Sequence, residues 1–316
     1  MSAMIGMILG SSFAAAGPAP APASDATAGW WGGGYGPSLS TVDRITYATD
    51  TATAPARGPL SISVFSTSAA GNTTAGWYAG GPSTSTVNRI TYATDTATAS
   101  ARGPLSLGRF GTAAAGNTTD GWFGGGYAPG PGGRSLVNRI TYATDTDVAS
   151  VRGPLSRARF NFAAAGNTTD GWFAAGSPGP VSSVDRITYA IDTDVASVRG
   201  PLDAARYLLT AAGNEIYGWF GGGGPGPAGI TTISRITYAT DTATASVRGP
   251  LSIATKFAAA AGTPSYGWFG GGGPGPAGTA LSTVQRITYA TDTDVASVRG
   301  PLSKARNRFS AASGIQ

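Results

Sequence analysis

FAAAGNTTDGWFAAGSPGPVSSVDRITYAIDTDVASVRGPLDAAR, from Phe162 to Arg206, is the stretch that decides the fold. Its parts recur along the whole chain. R-I-T-Y-A begins at Arg44, Arg89, Arg139, Arg186, Arg235 and Arg286, at spacings of 45, 50, 47, 49 and 51 residues. R-G-P-L begins at Arg57, Arg102, Arg152, Arg199, Arg248 and Arg299. A Gly-Trp pair supplies Trp30, Trp77, Trp122, Trp172, Trp219 and Trp268. A period near fifty residues points to a propeller or an array of repeats.

Each unit reads as four short strands. The first is small and apolar, Phe162 to Ala165, followed by a Gly166-Asn167 turn whose residues tolerate positive φ. The second is Gly171 to Phe173, ending in a glycine-rich break. The third, Ser183 to Tyr189, alternates: Val184, Arg186 and Thr188 face one way, Ile187 and Tyr189 the other. A turn at Asp192 to Asp194 leads to the fourth, Val195 to Val198, which Gly200-Pro201 ends. No helical period is sustained anywhere. Four strands repeated six times predict an all-β protein, a six-bladed β-propeller with four antiparallel strands per blade. The Ala-rich strands should lie innermost, where only short side chains fit, with Trp, Phe, Ile and Tyr packed between blades.

The unit resembles the kelch repeat. The residues that carry the resemblance are Arg159, Ala163 to Ala165, Trp172 with Phe173, Val184 with Tyr189, Pro201 and Arg206. The double glycine of that pattern stands at Gly33-Gly34, Gly80-Gly81, Gly124-Gly125, Gly222-Gly223 and Gly271-Gly272. The fourth unit departs, with Ala174-Ala175-Gly176, and the fourth strand carries Ala or Val where kelch repeats have Trp. The resemblance covers about residues 11–316 and implies a six-bladed, kelch-like propeller that mediates protein–protein contacts. The R-I-T-Y and R-G-P-L forms are also similar to repeats of bacteriophage and environmental virus proteins. That likeness implies a structural protein of a virion, tail or fibre, with host attachment as its task.

Composition narrows the chemistry. The 316 residues contain no Cys and no His, which removes disulfides, Ser-His-Asp triads, Cys-His pairs and imidazole metal sites. Glu215 is the one glutamate, so a glycosidase pair would have to be two aspartates. There is no P-loop or nucleophile elbow. The expectation is a protein with no catalytic residues, no cofactor and no metal. The net charge is +5, but it comes from arginines at fixed repeat positions rather than from a basic run with interleaved aromatics, so no nucleic-acid partner is expected. Arg44, Arg89, Arg139, Arg186, Arg235 and Arg286 read as structural, paired with nearby aspartates; for Arg186 these are Asp192 or Asp185. Asp50, Asp95, Asp145, Asp192, Asp241 and Asp292 and the six Gly-Trp tryptophans belong to the same structural set. Asp145-x-Asp147, Asp192-x-Asp194 and Asp292-x-Asp294 offer too few ligands for calcium and read as hydrated turns. Asn72, Asn117 and Asn167 open N-x-T sequons but read as turn residues.

The loops between second and third strands vary most, and variation on a fixed frame is where binding resides. Tyr35 and Tyr127 are the candidate binding-loop residues. Two domains are expected: an apolar, proline-rich docking arm at 1–24 and the six-repeat propeller at 25–316. Residues 1–9 are uncharged and lack the basic start of a secretion signal, and no stretch is long and apolar enough to span a membrane. The first-strand pattern occurs seven times, since Phe13 to Ala16 and Phe309 to Ala312 both match it. One copy is surplus. The C-terminal copy continues from a normal R-G-P-L segment and is expected to close the ring.

Two functions follow as expectations. One is a non-enzymatic structural or adhesive module of a virion or extracellular assembly, cytoplasmic before assembly, with other structural subunits or its own copies as partners. The other is a lectin-like propeller binding host-surface glycans through its loops.

Overall fold

The computed structural model describes residues 27–313 except 37, 131 and 276–278. It is all β, with six four-stranded antiparallel sheets arranged as the blades of a propeller. In the fourth blade the strands are Ala163–Gly166, Asp170–Ala174, Val184–Thr188 and Ser197–Arg199. They pair in chain order. The first strands of neighbouring blades touch one another and form the inner ring. Their alanines and glycines allow that close approach to the axis.

The ring closes with the C-terminal strand. Ser310–Ser313 lies beside Ala28–Gly32 and completes the sheet that continues through Val42–Thr46 to Ala56–Arg57. Gly29 pairs with Ser313 and Gly32 with Ser310. A sheet shared by both ends of the chain leaves no blade with an unpaired inner edge. Phe13 to Ala16 and the expected docking arm at 1–24 lie outside the described residues.

The unit differs in detail from the pattern in its sequence. The third strand stops at Thr188, because Tyr189 starts a three-residue 3-10 turn that ends at Ile191, with Asp192 as its C-cap. The fourth strand is shifted to Ser197–Arg199, since Val195 and Ala196 still belong to the connection. Gly166 does not adopt positive φ. The turn is made by the Asn167 side chain, whose Oδ1 accepts from the N–H groups of Thr169 and Asp170, both at 2.9 Å. A Cβ on Gly166 would lie 2.8 Å from the Asp170 carbonyl and from the Tyr189 hydroxyl, so glycine is needed for space.

The core is not inside the blades but between them. Each of the six apolar clusters joins two neighbouring blades. One of them combines Trp77, Val87 and Leu105 of the second blade with Phe123, Ile140 and Tyr142 of the third. The aromatic residue after each repeat tryptophan is almost wholly buried: Trp31, Tyr78, Phe123, Phe173, Phe220 and Phe269. Both faces of each blade are therefore buried, and the third strand buries Val184 and Asp185 side by side, the aspartate accepting from Ser156 and paired with Arg159. Among the described residues no helix is long and apolar enough to cross a membrane.

The R-G-P-L segment seals each seam. Its glycine N–H bonds to the aspartate carbonyl of the next blade, as Gly200 does to Asp241 at 2.8 Å. The proline carbonyl then accepts from that blade, as Pro201 does from Ala245 at 2.9 Å. A Cβ on Gly200 would stand 2.1 Å from the Ala243 carbonyl oxygen. Gly58, Gly103, Gly153, Gly249 and Gly300 are as tight, at 1.9–2.0 Å. Backbone cannot yield there as a flexible side chain would. Gly200→Ala should therefore destabilise the protein by about 1–3 kcal/mol, the usual range for overpacking. Thermal melting followed by circular dichroism checks this, with Gly226→Ala, where a Cβ meets nothing within 4 Å, as the neutral control.

Candidate functional site

The expected arginines, aspartates and tryptophans do come together, but across blades rather than within them. Trp172 pairs with Arg186 across two strands, and both reach one carboxylate oxygen of Asp241 in the next blade. The indole N–H donates at 2.8 Å and the guanidinium at 3.2 Å. Arg199, the first residue of R-G-P-L, approaches the same oxygen at 3.4 Å. Arg186 thus does not pair with Asp192 or Asp185 of its own unit. Alternation on a twisted strand aims Arg186 at the seam, and the turn that carries Asp241 crosses that seam from the other side.

The same clasp occurs at every seam. Asp95 receives Trp30 and Arg44; Asp145 receives Trp77 and Arg89; Asp192 receives Trp122 and Arg139. Asp292 receives Trp219 and Arg235, and Asp50 receives Trp268 and Arg286, which closes the circle. Arg57, Arg102, Arg152, Arg248 and Arg299 complete the set. The R-G-P-L arginine went unassigned in the sequence, although it recurs in the same rhythm as R-I-T-Y-A. Asp145, Asp192 and Asp292 are thereby engaged by cations. Among the described residues no group of three or more acidic residues is placed to hold a metal ion.

Above each clasp lies a stacked ring pair. Trp172 stacks on Tyr238 with centroids 3.7 Å apart, and Trp30 on Tyr92 likewise. Trp77 on Tyr142, Trp122 on Tyr189, Trp219 on Tyr289 and Trp268 on Tyr47 complete the circle at 3.7–3.9 Å. Burial pushes the hydroxyl pKa of all six tyrosines above its ordinary value of 10.0. The arginine's other side is saddled in two ways. Asp120 and Asp170 sit beside Arg139 and Arg186 at 3.5 Å, whereas Tyr217 and Tyr266 lay their rings under Arg235 and Arg286, at 4.3 and 4.6 Å.

A second arginine circle lies deeper. Arg109, Arg159, Arg206 and Arg306 are fully buried. Arg159 meets Asp185 and Arg306 meets Asp43, both at 3.1 Å. Arg206 has Asp203 at 3.6 Å and a short bond to Ser234. Arg109 has no carboxylate partner among the described residues; it donates to Asn138 Oδ1 and the Phe123 carbonyl. Burial lowers its pKa from the ordinary arginine value to about 10. The remaining seams carry Val64 and Thr255 at this position.

Tyr35 and Tyr127 sit at one end of the ring. Tyr35 bridges to Asn307 and Tyr127 to Phe110, so both flank the entry to an inner strand. Tyr35 packs edge-on to Phe65 at 5.1 Å, and Tyr127 lies between Phe110 at 5.3 Å and Phe160 at 5.4 Å. The sequon asparagines sit at the opposite end. Asn72 Oδ1 accepts from Thr74 and Ala75, and its Nδ2 donates to the Thr118 carbonyl of the next blade.

Four outcomes are expected. Asp192→Ala should cost about 2 kcal/mol, less than the 3–5 of a fully buried pair because its arginines stay partly in water. Asp50→Ala at the closing seam should cost the same, as paired denaturation curves would show. Asn138→Asp should stabilise by about 1 kcal/mol, by giving Arg109 the counter-ion that Arg159 and Arg306 have. The sign follows from the lowered arginine pKa: the protonated form is penalised at every pH below about 10, so the gain should hold from about pH 6 to about pH 9 and fade as the new carboxylate protonates. Finally, raised tyrosine pKa values mean that the unfolded state loses protons first, so stability falls as pH climbs past 10. Tyr78, wholly buried, is raised in the same way, so seven of the twelve tyrosines should ionise only with cooperative alkaline unfolding, which a phenolate absorbance titration would show.

No family model and no curated protein matches the chain, and a propeller fold does not by itself fix a function.

Proposed function

We propose that this protein is a non-enzymatic structural or adhesive module that joins other subunits, or copies of itself, in a virion or extracellular assembly. The observation that carries the reading is the outer wall of the ring. Val148 and Val151, Val195 and Val198, Val247, and Val295 and Val298 stand 56–63% exposed along four consecutive blades. The other two blades carry Thr53 with Ala56 and Thr98 with Ala101 at these places. Apolar side chains repeated on short outer strands make a surface suited to burial against a partner. The recurring charged residues are meanwhile engaged in holding blades together. Kelch-like contacts and a phage-like tail or fibre setting accord with a rigid, repeated ring and belong to the same proposal.

A second reading is a lectin-like module for host-surface glycans. It is favoured by the half-exposed aromatic side chains gathered around Tyr35 and Tyr127 at one end of the ring.

The assembly reading is tested with the fourfold variant Val151→Thr, Val198→Thr, Val247→Thr and Val298→Thr. Threonine keeps strand preference and removes the apolar surface. The variant should melt like the parent but lose self-association or co-assembly in light scattering and negative-stain images. A parent that is monomeric and captures no structural partner removes the reading. Deleting residues 1–24 is the companion experiment. The inner strand of the first blade is Ser310–Ser313, so the ring should still fold. A loss of assembly would then locate the docking arm in that segment.

A further inference from the structure

The chain is most constrained, and most varied, at one position. At the entry to each inner strand stands Ser66, Gly111, Asn161, Leu208, Phe257 or Arg308. All six have left-handed backbone, with φ between 54° and 65°. Each N–H donates to the carbonyl of its counterpart in the preceding blade. Gly111 bonds to Ser66, Asn161 to Gly111, Leu208 to Asn161, Phe257 to Leu208, Arg308 to Phe257, and Ser66 back to Arg308, at 2.5–3.0 Å. The result is a closed circle of six backbone hydrogen bonds around the axis.

This geometry suits Gly and Asn and disfavours the rest. Yet only Gly111 and Asn161 are of those types, and no two units share a residue here, in a chain whose neighbouring tracts repeat almost letter for letter. Strained residues of unlike chemistry in one ring point toward a use. Their side chains line an axial cavity of about 130 Å³. Arg308 is distinctive among them. Its guanidinium carbon is 4.6 Å from the Phe257 ring centroid and 5.4 Å from that of Tyr35. It makes no salt bridge within 4.0 Å among the described residues, and its buried Nε has no hydrogen-bond partner there. Two aromatic faces hold the planar fork in place and leave its edge free for a planar anion.

We propose that this axial mouth binds a carboxylate-bearing sugar residue. The carboxylate pairs with the Arg308 guanidinium, and the sugar's hydroxyls bond to the Asn161 amide and the Ser66 hydroxyl. The site rests on the glycan-binding reading and is independent of the outer wall.

The test is calorimetric titration of the full chain with methyl β-glucuronide, methyl β-glucoside and sodium acetate. The glucuronide should bind at least about tenfold more tightly than the glucoside, as a bidentate charged pair requires. Arg308→Gly should remove that preference while the melting temperature holds or rises, because glycine accepts the left-handed backbone. Leu208→Gly should also raise the melting temperature, with binding retained. Equal binding of both sugars, untouched by Arg308→Gly, would overturn the acidic site and leave the glycan reading standing. Binding of acetate without either sugar would overturn both.

Discussion

Every seam of the ring depends on one carboxylate. Asp241 and its five counterparts each accept from an indole and a strand arginine of the preceding blade and form an ion pair with its R-G-P-L arginine, while their backbone carbonyls take the glycine N–H of the same blade. All these bonds run in one direction around the circle. A single blade therefore has its donors on one side and its acceptor on the other, and satisfies neither alone. Buried polar groups of this kind are stable only when fully partnered. That requirement favours a closed ring over an open stack, because an open end would leave one aspartate and one tryptophan–arginine pair without partners. Ring closure by Ser310–Ser313 supplies the last seam, where Trp268 and Arg286 meet Asp50.

The deeper arginine circle shows how much freedom remains once the seams are sealed. One position is filled by Arg159 with Asp185, by Arg109 with Asn138, by Val64 and by Thr255. A buried ion pair adds little over an apolar replacement of similar volume, so its loss in some seams is tolerated. The clasp position shows no such variation. There the arginine is hydrogen-bonded beside a stacked tryptophan, and no apolar residue satisfies the carboxylate across the seam.

The two ends of the ring have different characters. One carries the Asx turns of Asn72, Asn117 and Asn167, which repeat and bond to the next blade. The other carries the variable loops, the aromatics around Tyr35 and Tyr127, and the left-handed circle. Antiparallel pairing places the entry to each inner strand beside the exit of the second strand, so the loops and the axial mouth share one end. Conserved geometry is thereby separated from the surfaces that vary.

The blade count, the four strands per blade, the innermost place of the Ala-rich strands and the closing C-terminal strand were all legible in the sequence, because a period of about fifty residues with strand alternation permits few other packings. Which residues belong together was legible as well: Arg186, Asp192 and Trp172 recur in step. Which copy meets which was not. Arg186 has two aspartates close in sequence, and only the twist of the blade turns it toward Asp241 of the next unit. The Gly166 turn was misread for a similar reason, since spatial crowding by Tyr189, not φ, demands glycine there. The left-handed circle left no trace in the pattern at all. Ser66, Gly111, Asn161, Leu208, Phe257 and Arg308 have no common side chain, and what they share is a backbone state that six blades impose when they meet at one axis. Periodicity alone determined the architecture; the pairing across seams and the convergence at the axis were decided by the closed ring, which brings together residues that local sequence keeps about fifty positions apart.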